Sequence, residues 1–251
     1  MFLRENERFE MVVKSNELIQ KSRFSLTTNQ QKIILYLISK LKYTDMDFNE
    51  CKVDIKDFCR VCGIDLSNGR RYNELKNSIK QIADKSIWIE KENGDETLLR
   101  WIEKPTIHKN DGVITIRLDE NLKPYLLELK EKYTQYELIY TLKMKSKYSI
   151  RLYELLKSRQ YNKLRDYTVK YSIDELKKLL DAENYKGFKD FRRRVLDKAT
   201  EEINLYSDIN IELTAIKQGK TITEMEIHIE TKDVIHRFQT AIDVERSLDN
   251  E

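Results

Sequence analysis

The sequence contains few residues that interrupt regular structure: only six of its 251 residues are glycine and two are proline. Such a chain is expected to form long helices and strands with few tight turns. Cysteine is equally scarce, and three thiols, an odd number in a long chain, argue against a disulfide scaffold. These shortages indicate a globular protein of a reducing compartment, built from long regular elements.

Long apolar runs and a strong charge imbalance are also absent. The longest uncharged apolar run covers residues 33–39, far short of the roughly 20 residues that span a bilayer. The charged N-terminal segment lacks the apolar core of a signal peptide. A hydrophobic content of 40% with a net charge of only +3 disfavours a disordered chain. We expect a soluble cytoplasmic protein of one or two domains with no membrane partner.

The most informative feature that is present is an internal repeat. Residues 33–40 resemble residues 150–157, which lie 117 positions later, and residues 55–58 resemble residues 173–176, 118 positions later. A third match, offset by 116 positions, pairs Tyr72, Leu75, Ile79, Ala83 and Ile87 with Phe188, Phe191, Val195, Ala199 and Ile203. Three segments in one order at a nearly constant offset indicate two copies of one module. We predict an N-terminal domain at 10–130, a C-terminal domain at 131–235 and a tail at 236–251.

Both copies follow the same order of elements. In the first copy the predicted elements are the helix 27–42, the strand 51–55, the helix 55–62 ended by Gly63, a helix through 72–83, and the strands 86–91 and 97–107. In the second copy they are the helix 147–160, the strand 167–172, the helices 173–181 and 188–206, and the strands 210–216 and 221–230. This is the order of a winged helix-turn-helix, whose recognition helix enters the major groove of DNA. The predicted fold class is α+β, with two tandem winged helix-turn-helix domains.

Positive charge is concentrated on the third helix of the second copy. If Phe191 and Val195 face the core, Arg193 and Arg194 point outward and Arg192 lies at the edge of the core. Arginine suits this position because its planar fork pairs with guanine or with phosphate. The alternative is a solvated basic face that touches no DNA. We predict DNA contact here, together with weaker candidates in both copies: Lys189, Lys198, Lys217, Lys220, Lys76 and Lys80.

A second concentration of charge covers residues 139–165, where eight basic residues stand against the single acid Glu154. Such a patch attracts phosphate and makes DNA binding depend on salt. We predict that Lys145, Lys147 and Arg151 contribute to it. The alternative is a helix face that is merely soluble.

Three apparent active-site motifs do not support an enzyme. Cys59 and Cys62 form a lone CxxC, more typical of buried structural cysteines than of a zinc site with four ligands. The segment 219–221 resembles the end of a P-loop, but position 214 is Thr where the motif needs Gly. The three histidines show neither the pair spacing of a metal-dependent nickase nor a catalytic triad. We therefore predict no catalytic residue, no metal, no cofactor and no enzymatic activity.

Several blocks of sequence resemble a known family. These blocks are VVKSNELIQKSRFSLTTNQQKIILYLISKLK, IKDFCRVCGID, LLRWIEK, YSIRLYELLKS, and DFRRRVL followed by EIN. They are similar to the replication initiator (Rep) proteins of iteron-containing, theta-replicating bacterial plasmids, from about Val12 to Thr231. The blocks RLYELL and DFRRRVL are the most specific.

The resemblance implies two winged-helix domains related by pseudo-twofold symmetry. It implies a monomer that binds direct DNA repeats (iterons) at a plasmid origin, opens a neighbouring AT-rich segment, and recruits the host initiator and helicase. It also implies a homodimer, paired through the N-terminal domain, that represses its own promoter. Carried over to the DFRRRVL block, it makes Arg192, Arg193 and Arg194 the expected DNA contacts.

Two other functions fit the same sequence. A sequence-specific transcriptional repressor without an initiation role shares the fold and the charges. A protein-interaction scaffold, whose winged helices bind no nucleic acid, shares the fold alone. Tandem repeats near the gene favour the initiator, and a lone palindrome favours the repressor.

Overall fold

A computed structural model describes residues 6–62, 69–91, 93–108, 112–160 and 164–250. The chain forms two compact units. The first contains Met1–Lys143 together with Val244–Glu251, and the second contains Met144–Asp243. None of the helices in the described part of the chain combines the length and hydropathy that a bilayer crossing demands.

The first unit contains eight strands and six helices in its described residues, besides two short 3-10 turns. In chain order they are β1 Met11–Ser15, α1 Asn16–Lys21, β2 Ser22–Arg23, α2 Thr28–Ser39, β3 Cys51–Asp54, α3 Ile55–Cys62, α4 Gly69–Asp84, β4 Ser86–Glu90, β5 Glu96–Arg100, β6 Ile102–Ile107, β7 Val113–Leu118, α5 Lys123–Leu126, β8 Tyr133–Glu137 and α6 Ile139–Leu142. Helix α2 begins with a capping box, in which the Thr27 and Gln30 side chains each accept from the other's backbone N–H. The predicted helices of this copy are confirmed, while Gly63 lies outside the described residues.

The wing of the first unit differs from the predicted hairpin. Strands β4 and β5 do pair, but they form a separate sheet in the order β2-β4-β5. The sheet of the winged domain has the order β3-β7-β6, so β6 and β7 are its hairpin. The predicted strand 97–107 is therefore two strands in two sheets. The division falls where Trp101 and Ile102 are both buried, which ends the alternation of a single half-buried strand.

The boundary between the units lies later than the predicted residue 130. Strand β8 pairs antiparallel with β1, from Met11 opposite Glu137 to Ser15 opposite Tyr133. The segment 133–143 therefore belongs with the first unit. The residue pattern of a single strand does not show which strand it pairs with, and here the partners lie more than 100 positions apart in the chain.

The second unit repeats the winged pattern. Its elements are α7 Lys147–Lys157, β9 Asp166–Ser172, α8 Ile173–Leu179, α9 Phe188–Phe191, a π-helical segment Arg192–Leu196, α10 Asp197–Tyr206, β10 Ile209–Gln218, β11 Thr221–Thr231 and the start of α11 Val234–Asp249. Its sheet has the order β10-β11-β9, which matches β6-β7-β3 element for element. Two winged-helix modules in tandem are thus confirmed, and their pseudo-twofold relation stays a prediction.

The predicted tail is a regular helix. Helix α11 begins in the second unit, and its last residues are grouped with the first unit from Val244 onward. Val244 and Leu248 are buried. The last turns of α11 are thus part of a folded unit.

Candidate DNA-binding surface

The recognition helix of the second unit continues from Phe188 to Tyr206 through its π-helical segment. The buried side is formed by side chains with no exposed surface: Phe191, Val195, Leu196, Ala199 and Ile203. Within the segment, the Asp197 N–H donates to the Arg192 carbonyl, five residues back. In this wider turn, Phe191, Val195 and Ala199, which are four residues apart, lie on the buried side. The three arginines point away from the core.

The three arginines lie on the outer side, as predicted. The Arg193 and Arg194 side chains are 64% and 62% exposed, whereas Arg192 at the core edge is 39% exposed. The Arg193 Nη2 lies 2.9 Å from the Asp190 Oδ1, and the Arg192 Nε lies 3.2 Å from the Asp197 Oδ1. Exposed ion pairs of this kind contribute little to stability. A phosphate or a base edge therefore competes with them at low cost.

Other exposed lysines surround this helix. Lys189 and Lys198 are exposed on the helix itself. Lys177 of α8 is half-buried and was not predicted from the sequence. Its Nζ lies 5.6 Å from the centre of the Phe191 ring. This places an ammonium beside the start of the recognition helix. The first helix of such a pair crosses the DNA backbone, which makes Lys177 a further candidate for a phosphate contact.

The wing of the second unit presents its predicted lysines at the tip. Lys217 and Lys220 are both exposed, and the turn between them contains Gly219 with a φ of +64°. The register of β10 against β11 shifts between Ile216 and Lys217. A bulge at this place increases the twist and redirects the tip away from the sheet.

The recognition helix of the first unit, α4, has a weaker charge pattern. Leu75, Ile79 and Ile82 are buried on one side, Lys80 is exposed, and Lys76 is half-buried. Both predicted lysines lie on α4. Among the side chains of α4 that the structure describes, none forms an equivalent of the arginine triplet.

The predicted basic patch at residues 139–165 is divided between exposed and buried side chains. Arg151 is only 4% exposed, and its Nε donates to the Leu179 carbonyl at 3.2 Å; its contact with DNA stays a prediction, which this burial does not favour. Lys157 and Asp208 form a buried ion pair with Nζ and Oδ2 2.7 Å apart. The physical reason is that α7 is the central helix of the unit, buried almost throughout, and buried charges require partners.

The remaining two residues of that patch differ from Arg151. Lys147 is half-buried and its Nζ lies 2.6 Å from the Asp181 Oδ2. The Lys145 side chain is exposed. Of the three predicted contacts in this stretch, Lys145 is therefore the one whose exposure best suits a phosphate.

Polar side chains fix the recognition helix to the rest of the second unit. The Asn204 amide pairs with both backbone groups of Ile211, accepting at 2.7 Å and donating at 3.1 Å. The Lys232 Nζ donates to the carbonyls of Asn204 and Ser207 at the end of α10, and burial lowers the pKa of this lysine. The Glu202 Oε2 accepts from the N–H groups of Lys145 and Ser146 ahead of α7. Glu202 and Asn204 are the polar residues of the EIN block, so this block holds the recognition helix against its neighbours.

The CxxC pair is buried, as predicted. Cys59 and Cys62 are each 1% exposed within α3. Burial raises the pKa of both thiols to about 12. Neutral, inaccessible thiols of this kind act as small hydrophobic residues.

With this geometry in place, known proteins give a direct comparison. Residues 11–157 match the family model described as "Initiator Replication protein, WH1", and residues 172–229 match "Initiator Rep protein, WH2". The chain belongs to the Rep initiator family. Two proteins of Escherichia coli are similar to it. A "Replication initiation protein" is 27% identical over 226 residues, covering 88% of this chain and 69% of that protein.

The second relative, the "PI protein", is 29% identical over 148 residues, which cover 53% of this chain and 47% of that protein. Among solved structures, the "Crystal structure of Pi initiator protein in complex with iteron DNA" matches with a TM-score of 0.74 at 20% identity. The match covers 90% of this Rep chain and 99% of the other. This likeness shows that the two chains share the fold.

Proposed function

We propose that this Rep protein is a plasmid replication initiator that binds repeated origin sequences as a monomer. The observation that carries the proposal is the exposed arginine triplet Arg192–Arg194 on the third helix of a winged domain. The relative whose structure contains iteron DNA has the same fold, which supports direct repeats as the target.

The chemistry of binding divides between the parts of each unit. The second recognition helix presents Arg193 and Arg194 to base edges, and Lys217 and Lys220 at the wing reach a neighbouring phosphate backbone. The first unit presents Lys80 from α4 to an adjoining groove. Two DNA-binding units on one chain suit a DNA site that occupies successive turns of the duplex.

The test is footprinting of the protein on the DNA that flanks its own gene. We expect protection of tandem repeats, with an affinity that falls roughly a thousandfold or more between 50 and 200 mM salt, because several phosphate contacts release counterions. Protein that binds no flanking DNA at low salt would favour the scaffold instead. In the proposed order of events, DNA binding is followed by origin opening and by recruitment of the host initiator and helicase. Permanganate reactivity of the AT-rich tract measures the opening.

A homodimer through the N-terminal domain is the second part of the proposal. Strand β5 is the edge of the β2-β4-β5 sheet, and its Leu98 is 52% exposed directly opposite Trp88, which is 44% exposed. An exposed edge with an aromatic and an aliphatic side chain favours pairing with another chain. This surface supports a dimer that represses the gene's own promoter.

The same surface favours a transcriptional repressor as the second candidate function. A twofold dimer of winged helices reads an inverted repeat, as repressors do. Deletion of the gene distinguishes the two: a plasmid that still replicates without it excludes the initiator, and loss of replication that the gene restores in trans excludes the repressor-only role.

A further inference from the structure

A buried arginine near the start of the chain has its contacts at two helix ends. Arg8 is 4% exposed. Its Nε donates to the Val61 carbonyl at 3.0 Å, and its Nη2 donates to the Arg60 carbonyl at 2.6 Å. Its Nη1 lies 2.7 Å from the Asp249 Oδ1 and 3.4 Å from the Glu245 carbonyl. One guanidinium thus joins the ends of α3 and α11.

The contacts on α3 satisfy groups that the helix itself leaves open. The last carbonyls of a helix have no partner within it, and they form the negative end of its dipole. Val61 and Cys62 are each 1% exposed, so these two residues of the last turn of α3 offer almost no surface to water. Arg8 supplies both the missing donors and a positive charge.

The residues near Arg8 are held by side-chain contacts with α2 and with the residue that follows it. The Tyr36 hydroxyl donates to the Glu7 Oε2 at 2.9 Å, and the Lys40 Nζ lies 2.9 Å from the Glu10 Oε2. Burial alone would raise the pKa of Glu7, but hydrogen bonds from Lys40 and Tyr36 hold it below its usual value. The turn that contains Arg8 is therefore held in place by its own side-chain contacts, and these contacts position the Arg8 side chain against α3.

The last turns of α11 are held in the same place. Val244 and Leu248 are buried in the first unit. The Asn6 amide donates to the Glu245 carboxylate, and the Lys143 Nζ lies 3.5 Å from the Ser247 carbonyl. Residues 6–10 and the last turns of α11, both within the first unit, therefore meet at the first helix of its helix-turn-helix.

We propose that Arg8 is a positioning residue for DNA recognition by the first unit, and that the last turn of the chain acts through it. Phe58 of α3 lines one small apolar cavity together with Leu75 and Ile79 of α4, so a shift of α3 is transmitted to the recognition helix through this packing. Removal of the Arg8 donors releases that end from α11. The inference rests on the proposed DNA-binding function and names a determinant far from the DNA-facing side chains.

The test uses the full chain with Arg8→Met, which keeps an apolar stem and removes every donor. We expect quantitative footprints to show about a tenfold weaker protection of the half-site read by the first unit, as the loss of charged hydrogen bonds implies, with the other half unchanged. The halves are assigned by Lys76→Ala with Lys80→Ala and by Arg193→Ala with Arg194→Ala. Arg246→Met, an exposed arginine in the last turn of α11, is the matched control and should leave both halves intact.

Further variants separate positioning from folding. Asp249→Asn alters only an exposed partner, and we expect a loss of about twofold to threefold that is again confined to the first half-site. Arg8→Lys, which keeps the charge, should recover part of the protection. Equal weakening of both halves by Arg8→Met, or wild-type protection by a folded Arg8→Met protein, would overturn the proposal.

Hydrogen exchange distinguishes this inference from the proposed function. In DNA-free protein, Arg8→Met should raise amide exchange in α3 and α4 and leave the second unit unchanged. Unchanged exchange in α3 and α4 would overturn the positioning role even if repeats are bound. Protein that binds no repeats while showing this exchange pattern would overturn the DNA-binding function and leave the link between Arg8 and α4 in place.

Discussion

The two winged units share one strand order but differ in what lies between the third helix and the wing. In the second unit the chain passes from α10 directly into β10. In the first unit a strand pair, β4 and β5, comes between α4 and the wing strand β6 and forms a sheet of its own. That extra sheet exposes Trp88 and Leu98, whereas the second unit exposes arginines on its third helix. Of two copies of one fold, the first thus exposes an aromatic and an aliphatic side chain on a small sheet, and the second exposes a cationic third helix.

The largest predicted effect tests the cationic side of this comparison. Replacing Arg193 and Arg194 by alanine should weaken binding to origin repeats by about 2–6 kcal/mol, if each makes one bidentate base contact. Fluorescence anisotropy at fixed salt measures the affinity. Because both side chains are more than 60% exposed, the circular dichroism and thermal midpoint should stay close to wild type.

The matched variant in the first unit is Lys76→Ala with Lys80→Ala. Its loss should be smaller, because lysine binds phosphate as a point charge without a bidentate fork. An equal or larger loss from the lysine pair would contradict the division between the units.

The next effect tests the apolar side. Leu98→Glu places a carboxylate opposite Trp88 on the edge strand and should weaken the dimer by about 2 kcal/mol or more. Sedimentation equilibrium measures the change in association, and binding to a single repeat should remain at the wild-type level. Leu205→Glu, at an exposed leucine of the second unit, is the control. Dimers that persist in Leu98→Glu would place the interface elsewhere.

The sequence predicted the parts of this molecule that local patterns determine. The helix period of α10 and the alternation in β10 and β11 each reflect one buried side. Helix α2 is buried throughout from Gln30 to Ser39, and its likeness to residues 150–157 made the first copy recognisable. The exposed positions of Arg193 and Arg194 followed from the same periodicity, since Phe191 and Val195 are buried. The π-helical turn that contains them was not predictable, because a period of 3.6 residues describes an ordinary α-helix and gives no sign of a wider turn.

Long-range pairing was the part that sequence patterns did not reveal. The pairing of β1 with β8 joins segments far apart in the chain, and β7 was missed because β5 and β6 resembled one long strand. The burial of charged side chains within residues 139–165 was not revealed either. Composition counts charges but does not show that Arg151 and Lys157 point into the unit.

Arg151 provides a third prediction, on stability rather than on DNA. Arg151→Met keeps the buried stem but leaves the Leu179 carbonyl without its donor, which should cost about 1.5 kcal/mol in the free energy of unfolding. Urea denaturation measures this loss. The salt dependence of DNA binding should not change. A lower salt slope with unchanged stability would support Arg151 as a DNA contact.

The smallest predicted effect concerns the wing of the second unit. Lys217→Ala with Lys220→Ala should lower the slope of log affinity against log salt by about 1.8, because each lost phosphate contact removes about 0.9. The affinity should fall only a few-fold, and equally for specific and unrelated DNA, since phosphate contacts contain no sequence information. Lys170→Ala is the control: this exposed lysine lies in the same sheet but pairs with Glu226 at 3.0 Å, so the slope should stay unchanged. A sequence-dependent loss from the wing variants would instead place a base contact at the tip and assign part of the specificity to the wing.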